Sequence, residues 1–184
     1  MNSVPTLETD RLILEKLGRK HMSLDYLSWL NDKGVYQYLE TGGNYSYNEL
    51  MSFLESSEDD KNLLFWAILT KEDGKHIGNI KIDPVNLRHY YAEYGILMGD
   101  KKSWGRGYAK EASVVVINYC FEFLKLRKVN LGVVADNVKA VKLYHKLGFV
   151  QEGLFRFHGI YNDKLCDQLR MSLFNPEFLN KMDV

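Results

Sequence analysis

Trp104-Gly105-Arg106-Gly107-Tyr108-Ala109-Lys110-Glu111-Ala112 joins a strand, Tyr91 to Met98, to a long helix through a turn of small residues. At a helix start the first N–H groups have no intrahelical partners and the positive end of the dipole faces outward, so main chain alone can bind a pyrophosphate. A Cβ in such a turn would hold the phosphate away, which gives Gly105 and Gly107 a reason to be glycine. The competing reading is that the two glycines only close a tight strand-to-helix turn.

Spacing excludes two other phosphate loops. A P-loop needs Gly, four residues, then Gly-Lys-Ser/Thr, whereas Gly107 is followed by Tyr108, so no lysine is set for a β- or γ-phosphate. The dinucleotide fingerprint needs a further glycine where this chain has Lys110. Nucleoside triphosphate hydrolysis and nicotinamide or flavin chemistry are therefore set aside.

The chain of 184 residues, 46% of them apolar, is expected to fold as one domain spanning 1–184, with its core at about 7–173. Arg11–Leu17 reads as a first strand, and His21 to Leu39 as mostly helical with a break near Asp32-Lys33-Gly34. Tyr47 to Ser56 is a further helix. Phe65–Leu69 and Ile77–Ile82, separated by Glu72-Asp73-Gly74, read as an antiparallel hairpin. Ala109, Ala112, Val116, Tyr119 and Phe123 fall on a helical period between Tyr108 and Leu124. Phe155–Phe157 and Leu165–Leu173 close the chain as a hairpin around Asn162-Asp163. These elements predict a mixed α/β sheet covered by helices.

Twenty-four basic residues balance twenty-four acidic ones, so no global charge steers the chain toward nucleic acid or an anionic membrane. The start, Met1 to Asp10, lacks the basic and apolar regions of a secretory signal, and no run approaches a membrane span; a cytoplasmic location is the expectation. Cys120 and Cys166 read as buried thiols, and the five histidines show no metal-ligand spacing, so no metal is expected.

Val129–Ala135 reads as a buried strand running into Asp136-Asn137-Val138 and on to Leu147-Gly148-Phe149. On these residues, taken with the loop, the chain resembles the GCN5-related N-acetyltransferases. Gly107 and Ala109 match the G-x-G/A of that superfamily's acetyl-coenzyme A loop. Asn137, Tyr144 and Leu147-Gly148-Phe149 match its second cofactor segment. The wording of the loop, with Leu7-Glu8-Thr9-Asp10-Arg11-Leu12, resembles the RimJ/RimL-like ribosomal-protein N-terminal acetyltransferases. One departure is Trp104, where the superfamily loop opens with Gln or Arg; it removes a polar contact from the inferred site.

The resemblance implies a mixed central sheet flanked by helices, with a splayed strand pair at which the backbone of Ile96, Leu97 and Met98 pairs with pantetheine. It implies acetyl-coenzyme A as co-substrate, held by Trp104, Gly105, Arg106, Gly107, Tyr108, Ala109 and Lys110, with Asn137 and Lys142. The amine acceptor must lose a proton, since a primary amine has a pKa near 10.4. Glu93 stands where the family carries its general base, directly or through water, with Asp83 and Glu40 in reserve. Tyr144 matches the general acid that protonates the leaving thiolate. Against these, Glu93 reads equally as a solvent-facing strand residue, Tyr144 as a core tyrosine, and Asn137 as a helix N-cap. The acceptor is expected to be a small molecule such as an amino-sugar nucleotide, stacked on rings among Tyr26, Trp29, Tyr36, Tyr38, Tyr45 and Tyr47, or a protein N-terminus. The alternative is a catalytically silent acyl-coenzyme A-binding module. The family also admits a homodimer.

Overall fold

A computed structural model describes residues 4–60 and 63–179. Met1–Ser3, part of the segment read above for a leader, lie outside them. The elements run β1 (Leu7–Glu8), β2 (Leu12–Lys16), α1 (Leu24–Asn31), α2 (Lys33–Tyr36), α3 (Tyr47–Asp59), β3 (Leu64–Thr70), β4 (His76–Asn86), β5 (Tyr91–Met98), α4 (Tyr108–Glu122), β6 (Lys128–Val134), α5 (Val138–Lys146), β7 (Val150–Tyr161), β8 (Lys164–Phe174) and α6 (Pro176–Leu179). The eight strands share one mixed sheet, ordered β1-β2-β3-β4-β5-β6-β8-β7. The chain divides into two compact units, one of residues 1–83 and 95–115, the other of 84–94 and 116–184.

In the first unit, β2 and β3 pair antiparallel, as do β3 and β4, with a bulge at Ile68/Leu69. Gly74 takes a φ of 67° in the β3–β4 turn. The break predicted after α1 falls at Asp32, whose Oδ1 accepts from the Gly34 N–H and so caps α2 as α1 ends. A capping box fixes the start of α3: Ser46 Oγ accepts from the Glu49 N–H while Glu49 accepts from the Ser46 N–H. Leu50 and Leu54, one turn apart on α3, pack with Tyr26, Trp29, Leu30 and Leu17 in the core. Truncating either leucine to alanine removes ~2–5 kcal/mol of packing.

That core encloses a polar cluster. His76 lies against the rings of His21, Tyr26 and Trp29 at centroid distances of 5.0–5.4 Å. Its Nε2 faces two acceptors, Gly78 O at 3.0 Å and Asn79 Oδ1 at 2.8 Å, so this nitrogen carries a proton. Burial pushes the His76 pKa down to about 4, against the pull of the Asn79 hydrogen bond.

In the second unit, β6 pairs antiparallel with β8, and β8 with β7. Parallel pairing of β5 with β6 covers Tyr91, Ala92 and Glu93. Asn162 and Asp163, at φ of 51° and 61°, form the β7–β8 turn predicted from their side chains. The β7 strand starts at Val150, not near Phe155: as an exposed edge strand it has no alternation of buried and exposed residues from which to read its start. Cys120 and Cys166 are free and buried, and burial raises the Cys120 pKa to about 12. Among the described residues no helix is long and apolar enough to cross a membrane.

His76 makes stability pH-dependent. Between pH 4 and 6.5 the unfolded chain binds a proton that the folded one refuses, so folding free energy falls on acidification, by at most about 1.4 kcal/mol per pH unit from this group. Denaturant titrations from pH 6.5 down to 5 are expected to show this slope in the wild type and to lose it in His76→Gln.

Candidate active site

The loop begins where β5 ends. Gly99 and Asp100 both donate their N–H to the Ile77 carbonyl, at 3.0 and 3.1 Å, which turns the chain out of the sheet. Asp100 then caps a short 3-10 turn, accepting from Ser103 Oγ at 2.6 Å and from Lys75 Nζ at 3.0 Å. The Trp104 indole N–H reaches back to the Met98 carbonyl at 2.8 Å. The residue that departs from the family's loop therefore braces the loop against the end of β5. That bond also occupies one main-chain group of the three residues expected to pair with pantetheine.

Gly105 and Gly107 have φ of 75° and 83°, a left-handed conformation that an L side chain rarely adopts. A Cβ on Gly107 would meet only Arg11 Nη2, at 3.5 Å, so backbone conformation rather than crowding is what demands glycine there. From this turn α4 starts at Tyr108, and Glu111 N–H bonds to the Gly107 carbonyl at 3.1 Å. The N–H groups of Tyr108, Ala109 and Lys110 precede the first helical bonds, the geometry that suits a pyrophosphate. Arg106 and Lys110 are exposed, but Tyr108 is buried beneath two guanidiniums, with Arg11 at 4.6 Å and Arg106 at 5.2 Å from its ring.

What holds this helix start comes from a hundred residues away. Thr9 Oγ1 donates to Glu111 Oε1 at 2.6 Å, and the Arg11 N–H donates to the same oxygen at 3.0 Å. Arg11 Nε and Nη2 fork onto Glu111 Oε2 at 2.7 and 2.5 Å, while its Nη1 donates to the Arg106 carbonyl at 3.1 Å. Burial alone would raise the Glu111 pKa; the Thr9 and Arg11 hydrogen bonds and the Arg11 charge outweigh it and hold the carboxyl below its usual range. Thr9, Arg11 and Glu111 were not singled out as site residues from sequence, although all three lie within the two motifs that carried the resemblance.

The remaining expected residues lie in the other unit. Glu93 on β5 is half-buried, and its Oε1 accepts from Arg170 Nη2 of β8 at 2.7 Å. Tyr94, next along the strand, points to the opposite face and meets Tyr144 of α5 edge-on, with ring centroids 6.0 Å apart. Phe149 closes this aromatic group, 5.8 Å from Tyr144. Tyr144 is only 7% exposed, and burial pushes its pKa up to about 12, so its hydroxyl keeps its proton throughout the working range. Glu93 and Tyr144 are thus on opposite faces and do not touch. Asn137 caps α5, its Oδ1 accepting from the Ala140 N–H at 3.3 Å, and Gly148 ends the segment with a φ of 94°. Lys142 is exposed on the same helix. Among the described residues no group of three or more His, Cys, Asp or Glu side chains could hold a metal ion.

Loosening the loop is expected to show in cofactor affinity. Gly107→Val, which forces a strained φ, and Arg11→Ala, which releases Glu111 and the Arg106 carbonyl, should each weaken coenzyme A binding by about tenfold or more in calorimetry.

The comparisons agree with this geometry. Residues 11–150 match the family described as "Acetyltransferase (GNAT) domain". An uncharacterized N-acetyltransferase, p20 of Bacillus licheniformis, is 27% identical over 176 residues, covering 94% of this chain and 98% of that protein. The spermidine N(1)-acetyltransferase of Vibrio cholerae is 32% identical over 107 residues, 58% of this chain and 61% of that one. A crystal structure of spermidine N-acetyltransferase from Vibrio cholerae, in complex with CoA and spermine, superposes with a TM-score of 0.83 at 26% identity, covering 94% of this chain and all (100%) of that one. With the left-handed glycine loop at the start of α4 and a strand whose parallel pairing spans its first three residues, they establish that the chain belongs to the GNAT family and is an acetyl-coenzyme A-dependent N-acetyltransferase.

Proposed function

We propose that the chain acetylates a small aliphatic primary amine, with Glu93 as general base and Tyr144 as general acid. The observation that carries this reading is their disposition about adjacent backbone positions. Glu93 is the last β5 residue in the parallel register with β6, and Tyr94, the next, turns to the other face against Tyr144. A thioester held at that end of the pairing presents its carbonyl carbon to an amine on the Glu93 face and its sulfur to the Tyr144 hydroxyl. The amine nitrogen bonds to the carbonyl carbon, its proton passes to Glu93 directly or through a water, the C–S bond breaks, and the thiolate takes the Tyr144 proton.

Two findings favour an aliphatic acceptor over the amino-sugar nucleotide considered from sequence. Tyr26 and Trp29, 2% and 6% exposed, are spent in the core, which removes two of the six rings considered for stacking. The spermidine N-acetyltransferases among the relatives make a polyamine the first acceptor to assay. A protein N-terminus, suggested by the resemblance of the Leu7–Leu12 wording to the ribosomal-protein branch, is the second reading.

Acetyl-coenzyme A-dependent thiol release, measured with spermidine, spermine, amino acids, an amino-sugar nucleotide and a peptide, is expected to be fastest with the polyamines or amino acids. Tyr144→Phe should lower kcat by roughly tenfold to several hundredfold while leaving coenzyme A affinity unchanged. Unaltered turnover in that variant would remove Tyr144 from the mechanism, and binding without turnover on every amine would favour the silent module.

We also infer a homodimer formed through the β7–β8 hairpin. β7 is an edge strand that exposes Phe155, Phe157 and Ile160, with Leu165 of β8 exposed just past the turn, where edges are usually blunted by charge or proline. The hairpin carries three acidic and three basic side chains (Glu152, Asp163, Asp167; Arg156, Lys164, Arg170), so two copies meet without net repulsion. Light scattering is expected to give a dimer that Ile160→Asp converts to monomer; a monomeric wild type at tens of micromolar would overturn it.

A further inference from the structure

Gly132 sits in the middle of β6, where glycine weakens a strand and leaves no side chain to pack. Its register explains it. Gly132 lies opposite Arg170 of β8, and Asn130, two residues earlier on the same face, lies opposite Glu93 of β5. Arg170 belongs to one neighbour of β6 and Glu93 to the other, yet their side chains meet at 2.7 Å. The guanidinium therefore crosses the face of β6, and it does so over Gly132: a Cβ built there would stand 3.1 Å from Arg170 Nη1 and 3.0 Å from Gln168 Cδ.

We propose that Arg170 is a positioning residue for Glu93 and that Gly132 is the gap that lets it reach. The inference rests on the reading of Glu93 as the base. Glu93 and Arg170 side chains are each 29% exposed, a setting in which an ion pair adds little to stability, so the pair is better suited to orienting a carboxylate than to holding the fold. The guanidinium fixes Oε1 and with it the direction of the second carboxylate oxygen. The next charges on this face belong to a separate set: Lys128 of β6 binds Glu152 of β7 at 2.8 Å, and Glu152 with Asn130 accepts from Ser172 of β8. Arg170 is thus the cation that faces Glu93 from β8, while Asn130, the residue opposite on β6, is neutral.

The test is steady-state kinetics across pH on Glu93→Gln, Arg170→Gln, Arg170→Lys, Gly132→Val and the double variant Arg170→Gln/Gly132→Val, each checked for an unchanged melting temperature within a few degrees. Arg170→Gln is expected to lower kcat by about tenfold to a hundredfold with KM for acetyl-coenzyme A unchanged, because the carboxylate loses the group that orients it. Arg170→Lys should restore part of kcat. Gly132→Val should reproduce the Arg170→Gln profile and add nothing to it in the double variant. Full turnover in Arg170→Gln, with Glu93→Gln inactive, would overturn the positioning role alone. Full turnover in Glu93→Gln would overturn the base reading beneath it.

Discussion

One carboxylate, Glu111, decides where the glycine loop at the head of α4 sits. It sits in the first turn of α4 and is gripped by Thr9 and by the backbone and guanidinium of Arg11, which also holds the Arg106 carbonyl and covers the Tyr108 ring. A left-handed glycine turn has few contacts of its own and would move freely if its two ends were not fixed. Trp104 ties one end to Met98, and the Arg11–Glu111 set ties the other to the residues that enter β2. With both ends fixed, the N–H groups at the helix start keep the aim on which main-chain anion binding depends. A negative side chain in that first turn also suits the helix dipole.

The chemistry assigned to the other unit depends on the pleat of a strand. Successive β residues point to opposite faces, so Glu93 and Tyr94 are separated by the thickness of the sheet although they are neighbours in the chain. Tyr94 carries the contact to Tyr144, and Glu93 carries the contact to Arg170. The environments diverge accordingly. Tyr144, enclosed by Tyr94 and Phe149, has its phenol pushed up to about 12 by burial, whereas Glu93 sits half-buried beside a fixed cation. A proton donor shielded from water on one face and a carboxylate reachable from the other fit an aminolysis in which the amine approaches a planar thioester from one side and the leaving sulfur departs in another direction.

Much of the fold was legible because local signals and tertiary packing agree. β5 occupies Tyr91–Met98 as read from its sequence, the α1–α2 break falls at Asp32 because that side chain caps the next helix, and the Asn162-Asp163 turn adopts the positive φ its residues favour. The elements read less well are those whose burial does not alternate, such as the start of β7 and the short α6. The loop glycines, Asn137 and Tyr144 were expected in the site from the family resemblance, and each has a local structural role in the fold: a turn, a cap, a core ring. The aromatic residues of the first helices suited an acceptor and a core equally from sequence, and for Tyr26 and Trp29 the packing against His76 decides for the core.

The sequence by itself determined the helix starts, the turns, the balance of charge and the glycine loop at the head of α4, since caps, φ preferences and periodicity act over a few residues. Tertiary structure alone decided which partners those residues have. Arg11 finds Glu111 across a hundred residues, and Arg170 finds Glu93 by passing over a glycine on the strand between them. Such pairings follow from strand order and register, quantities set by the whole chain burying its apolar faces at once, and no window of sequence contains them.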